Sequence, residues 1–166
     1  MPSILRVVGV VALVAAALAV RSSHAKEDQS GETLPRFASL KSDEVNVRTG
    51  PGQRYPIDWV FRRANYPVEI VAQFDVWRQI RDPEGTLGWV HQSLLSGQRT
   101  ALITGGVRTL RIEPSDSASG VALAEPGVMV NLRSCVDAWC EVTARGYTGW
   151  LRREELWGVY PRETLR

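Results

Sequence analysis

Val45 and Val47 alternate with Asn46 and Arg48, and Val68, Ile70 and Ala72 alternate with Glu69, Val71 and Gln73. A period of two is the mark of a half-buried strand. Residues 37–40, 57–61, 77–80 and 87–91 read as further short strands. Turn signals separate them: Thr49-Gly50-Pro51-Gly52, Asn65-Tyr66-Pro67 and Asp82-Pro83-Glu84-Gly85. Gln92 to Leu95 reads as one 3₁₀ turn ended by Gly97. No stretch after residue 25 keeps a helical period, so the pattern predicts an all-β protein.

The pattern then repeats. Arg36, Leu40, Arg48 and Pro51 recur as Arg99, Ile103, Arg111 and Pro114, at an offset of 63. Val68, Asp75 and Trp77 recur as Val130, Asp137 and Trp139 at 62, and Gly88, Trp89 and Leu95 as Gly149, Trp150 and Leu156 at 61. Two single-residue gaps align both halves, which identifies a duplication. Each unit of roughly sixty residues lies near the lower size limit for an independent core. Short strands spaced by turns predict a small barrel in each. The predicted boundaries are 36–97 for the first barrel and 98–161 for the second, with a frayed C-terminal tail at 162–166. Gly97-Gln98 is almost no linker, so the barrels should touch, with Trp157 and Tyr160 covering the contact.

Residues 1–25 stand apart. Arg6 precedes an apolar run from Val7 to Val20, and Ser23-His24-Ala25 places small residues where a signal peptidase reads. The run falls short of the ~20 residues that span a bilayer. A cleaved signal peptide is expected, with an uncleaved anchor as the alternative. Residues 26–35 are polar and read as a disordered lead segment. Without the signal, Lys+Arg falls from 20 to 18, level with the 18 Asp+Glu. A neutral chain with no basic patch argues against nucleic acid. Export also makes a disulfide the default for Cys135 and Cys140. They align with Gln73 and Arg78 and flank a predicted hairpin, close enough in Cα separation for a bridge.

Val45-Asn46-Val47-Arg48-Thr49-Gly50-Pro51-Gly52, Tyr55-Pro56 and Gly88-Trp89-Val90 resemble the bacterial SH3 (SH3b) family. The tandem SH3-like exported proteins of alphaproteobacteria are the closer resemblance, through residues 55–61, 88–97 and 156–161. The resemblance implies a five-stranded barrel per repeat, and a targeting or interaction module that binds cell-wall peptides or proteins. The second repeat departs from the signature, with Leu110-Arg111-Ile112-Glu113-Pro114-Ser115 at the loop and Ala122 in place of Trp59.

Candidate sites follow from what the copies share and what they do not. Trp77, Trp89, Trp139 and Trp150 recur, which favours core packing, since large aromatics dominate burial in a small core. Trp89 could still expose an edge to a groove. Tyr55 and Trp59 face small counterparts, Ala118 and Ala122, so they mark either a ligand groove or the contact between repeats. Arg48 and Arg111 recur beside a tight loop, where pairing with a loop carboxylate is expected. The ligand-binding candidates are therefore Tyr55, Trp59, Arg48 and Trp89. His91 is the one histidine beyond the signal and reads as surface or partly packed. It lacks the nucleophile and carboxylate spacing of a catalytic group, Ser93 notwithstanding.

The expected protein is exported and non-enzymatic, in the periplasm or cell envelope, with no metal, no cofactor and no membrane span once the signal is removed. Its expected partner is peptidoglycan or an extended peptide of an envelope protein. A periplasmic assembly scaffold is the alternative, and a cell-wall hydrolase the remote one.

Overall fold

A computed structural model describes residues 33–165. The expected signal peptide, and all of the lead segment before Thr33, lie outside the described residues.

The first unit contains β1 (Arg36–Leu40), β2 (Val45–Arg48), β3 (Ile57–Phe61), β4 (Pro67–Phe74), β5 (Trp77–Arg81), β6 (Leu87–His91) and β7 (Leu95–Ser96). A 3₁₀ turn over Gln92–Leu94 joins the last two. The second unit contains β8 (Thr100–Ile103), β9 (Arg108–Arg111), β10 (Gly120–Ala124), β11 (Met129–Val136), β12 (Trp139–Ala144), β13 (Tyr147–Arg152) and β14 (Leu156–Trp157). Its 3₁₀ turn spans Arg153–Glu155. Each unit is one seven-stranded sheet, ordered β3-β2-β6-β5-β4-β1-β7 and β10-β9-β13-β12-β11-β8-β14. The five expected strands thus become seven, in part because the chain after the 3₁₀ turn forms a two-residue strand on β1 or β8.

The duplication extends into the hydrogen-bond register. Ala38 faces Val68 as Ala101 faces Val130. Gln73 faces Arg78 as Cys135 faces Cys140, and the bulge at Ile70/Ala72 returns at Leu132/Ser134. Asp75 and Asp137 both take a positive φ, 51° and 49°, at the turn that follows. Asp tolerates that region better than most residues.

Each sheet wraps its own aliphatic core. Leu40, Val45, Val47, Val68, Ile70, Ile80 and Val90 fill the first, and Ile103, Leu110, Val130, Val142 and Leu151 are central to the second. The four recurring tryptophans belong to neither core and are half-buried, contrary to the expected core packing. Strand period explains the difference. Ile80 and Val90 hold the inward register, so Trp77 and Trp89 point to the other face.

The two units meet as the short linker requires. Phe37 of β1 stacks edge-on against Trp157 at 5.1 Å and lies 4.7 Å from the Tyr160 ring. The Tyr160 hydroxyl donates to Glu69 at 2.7 Å. Glu69 is buried and also accepts from the Arg81 guanidinium. Thr100 Oγ1 donates to the Asn65 carbonyl and lies 2.5 Å from Ser39 Oγ.

Both ends of the described chain are better packed than expected. Leu34 packs against the first core. The tail is held rather than frayed: Glu163 pairs with Arg99, and Leu165 forms a β-bridge to Cys135.

Cys135 and Cys140 form a disulfide across a directly paired position, with Cα atoms 4.1 Å apart. So small a loop gives a gain near the low end of the usual range, about 2 kcal/mol. Reduction should therefore lower the unfolding free energy by about that amount and move the urea midpoint down accordingly. Urea titrations with and without reductant test this, and coincident curves would refute it.

Candidate binding face

Strands β2, β6 and β5 lie side by side in the first unit and present one outer face. Arg48 of β2 sits directly opposite Trp89 of β6. Trp89 in turn faces Gln79 of β5, and Trp77 faces His91 two residues along. The Trp77 and His91 rings meet edge-to-face at 5.6 Å. The loop between β2 and β3 folds back onto this face. Arg48 Nη1 donates to the carbonyls of Tyr55 at 2.7 Å and Gln53 at 3.1 Å. The Tyr55 ring lies against Gly50 so closely that a Cβ there would come within 2.5 Å of it. The Arg54 guanidinium lies over the Tyr55 ring, 5.2 Å from its centroid.

Two of the four expected ligand residues, Arg48 and Trp89, therefore share one surface, and Tyr55 is tied to it by its backbone carbonyl. Arg48 grips loop carbonyls and not the loop carboxylate expected of it. Trp59 separates from the others. It packs on the first core, lies edge-on to Phe61 at 6.1 Å and leaves no room for a Cβ on Gly88. Neither Tyr55 nor Trp59 takes part in the Phe37, Glu69 and Thr100 contacts that join the units.

Trp77 and His91 are members of the face that sequence reasoning did not select. The signal was available: both lie in outward register with Trp89 on paired strands. His91 has a further local job. Its Nδ1 accepts the Ser93 backbone N–H at 3.2 Å and lies 2.7 Å from the Ser93 hydroxyl, capping the 3₁₀ turn.

The second unit builds the same frame and fills it differently. Arg111 Nη1 donates to the Ala118 carbonyl at 2.8 Å, and Trp150 faces Arg111. Here the residue held is Ala118 and not a tyrosine. Arg152, the counterpart of His91, lies 4.7 Å over the Trp139 ring and binds Asp116, the counterpart of Gln53. Hydrogen bonding to Arg152 holds the Asp116 carboxyl below its ordinary range. The charge and the aromatic surface on this unit are thus engaged with each other.

Among the described residues there is no cluster of His, Cys, Asp and Glu able to hold a metal ion. No helix among them is long and apolar enough to cross a membrane.

A family model described as the bacterial SH3 domain matches the chain twice, over residues 41–97 and 107–158. No curated protein matches. Solved structures that match the chain include NlpC2 from Trichomonas vaginalis, 14% identical, covering 78% of this chain and 50% of that one, with a TM-score of 0.37. NlpC1 from the same organism is 16% identical, with 81% and 49% covered and a TM-score of 0.34. An NlpC/P60 family protein from Bacillus cereus is 13% identical, with 73% and 55% covered and a TM-score of 0.33. The chain spans about half the length of each.

Proposed function

The chain belongs to the bacterial SH3 domain family, and from that premise we propose that it is an exported, non-enzymatic binding module of the cell envelope. Its ligand is peptidoglycan or an extended peptide of an envelope protein, held on the first domain. The observation that carries this reading is the contrast between the two copies. Arg48, Trp77, Trp89 and His91 lie on one outer surface of the first domain, and Arg48 holds the Tyr55 loop beside it through the Tyr55 carbonyl. The second domain covers the counterpart with its own Arg152–Asp116 pair. Aromatic walls with a few polar groups suit extended peptides. The Arg48 clamp fixes the loop before a ligand arrives, which lowers the ordering cost of binding.

Cosedimentation with purified cell walls, alongside capture of envelope proteins by the immobilised chain, tests the reading. The native chain should be retained by one of the two materials. Tyr55→Ala/Trp89→Ala should lose at least tenfold in retention, about the 1.4 kcal/mol that one buried aromatic contact exceeds. Trp150→Ala should bind as the native chain does. Trp59 is the wrong residue to probe, because it supports the core. A native chain that neither sediments with wall nor captures an envelope protein would end this reading.

A further inference from the structure

The loop between β9 and β10 supplies the aromatic face of the second domain with a carboxylate. Asp116 on that loop accepts from Arg152, one oxygen from Nε at 3.0 Å and the other from Nη2. Arg152 in turn lies 4.7 Å over the Trp139 ring. Hydrogen bonding to Arg152 does most to hold the Asp116 carboxyl below its ordinary range, and the Arg152 and Arg111 charges add to it. A carboxylate of the chain itself is thus seated against the guanidinium that covers the ring. The Asp116 side chain stays mostly exposed. An exposed pair adds little to stability, so Asp116 can be changed without unfolding the domain.

The first domain keeps this frame and omits the carboxylate. Gln53 stands at the position of Asp116, and His91 at that of Arg152. Arg48 donates to the Gln53 and Tyr55 carbonyls, as Arg111 donates to that of Ala118. Arg54, whose counterpart is Ser117, adds a second cation and meets the Tyr55 ring and hydroxyl. Among the described residues no ion pair includes Arg48 or Arg54. Two guanidinium groups therefore border the face with no carboxylate paired to either. His91 adds a donor. Its Nδ1 accepts from the Ser93 N–H, which leaves the proton of the neutral ring on Nε2. Charge-assisted hydrogen bonds are roughly twice as strong as neutral ones, so a carboxylate is the group that best complements this border.

We propose that the first-domain face docks a segment of a protein partner bearing an aspartate or glutamate, whose carboxylate takes the place that Asp116 takes in the second domain. The carboxylate meets Arg54 and the His91 Nε2–H beside Trp77, within the field of Arg48. The partner is a protein because the occupant seen in the second domain is an aspartate on a peptide of small residues, Ser115-Asp116-Ser117-Ala118. This assignment rests on the face being the binding surface, and adds the charge and the source of its ligand.

The probe is an end-blocked peptide with the sequence of residues 114–119, added to the full chain and followed by amide shifts. Saturable shifts are expected at Arg54, Trp77 and His91, and none at Ser115 or Ser117. The Asp116→Asn form of the peptide should bind at least tenfold more weakly. Gln53→Asp/His91→Arg in the chain gives the first domain the pair of the second, and should abolish the shifts. Asp116→Asn in the chain is the second, milder variant. It frees Arg152, so shifts should appear at Trp139 and Arg152 as a second equivalent of peptide binds. Absence of saturable shifts, equal binding of the two peptides, or shifts in the second domain of the native chain would overturn the proposal. Displacement of the peptide by purified wall fragments would assign the carboxylate to the wall and overturn it too. The binding face itself survives such a failure if Tyr55→Ala/Trp89→Ala still costs the chain its retention by wall or envelope protein. Retention that ignores those substitutions would remove the face as well.

Discussion

Gly158→Ala is expected to destabilise the second domain by at least about 3 kcal/mol, whereas Gly97→Ala at the matching position changes stability by less than about 0.5 kcal/mol. Gly158 has φ +128°, a conformation that residues with a side chain rarely adopt. A Cβ there would also lie 2.6 Å from the Thr100 carbonyl oxygen and 2.9 Å from Ala101 Cα. Those are backbone atoms of β8, which cannot swing aside as the end of a flexible side chain can. Gly97 has no atom within 4 Å of its added Cβ and no positive φ. Thermal unfolding of the two variants beside the native chain checks this, and equal midpoints for the pair would contradict the geometry.

The second large effect belongs to Glu69. Glu69→Ala should cost about 1.5–3 kcal/mol, the range for a hydrogen bond to a charged group. It removes the acceptor for both Arg81 and Tyr160, one on each domain. Arg81 is about half exposed and recovers solvation, which keeps the cost below that of breaking a fully buried pair. Tyr160→Phe should cost less, about 1 kcal/mol, because Glu69 keeps Arg81. The Tyr160 hydroxyl also titrates above its ordinary value of 10.0, through burial first and the Glu69 bond second. Its contribution is therefore complete below pH 10 and is lost as pH rises toward the folded value. Urea midpoints from pH 8 to 11 should show a fall in the native chain that is smaller in Tyr160→Phe. An unchanged fall would remove Tyr160 from the account.

The fold was largely legible in the residues because its signals are local. Alternation at Val45, Val47, Val68 and Ile70 set the inward face, and the Gly-Pro and Asp-Pro turns set the breaks. The echo from Arg36 to Arg99 supplied the duplication. The error on the tryptophans came from weighing size above register. Ile80 and Val90 already claimed the inner positions, and strand geometry then left Trp77 and Trp89 only the outside. The site was half legible. Arg48 and Trp89 lie on strands whose pairing the repeat implies. Tyr55 reached them through a loop held by a backbone carbonyl, which no residue type announces. Trp59 misled because its counterpart Ala122 also packs partly against a core, so the smaller residue signalled looser packing and not a lost ligand. The tail was unreadable because Glu163, Thr164 and Leu165 carry no strand pattern. Their order comes from Arg99 and Cys135, far away in sequence.

The joint between the domains has a consequence for ligands that come in arrays. Tandem modules on a loose tether gain avidity by adjusting their reach, so that many ligand spacings serve. Here Phe37, Trp157, Tyr160 and Glu69 lock the two barrels with Gly97, Gln98 and Arg99 as the whole connection. A ligand that touched both domains would therefore have to match one fixed separation, set by the joint and not by a tether.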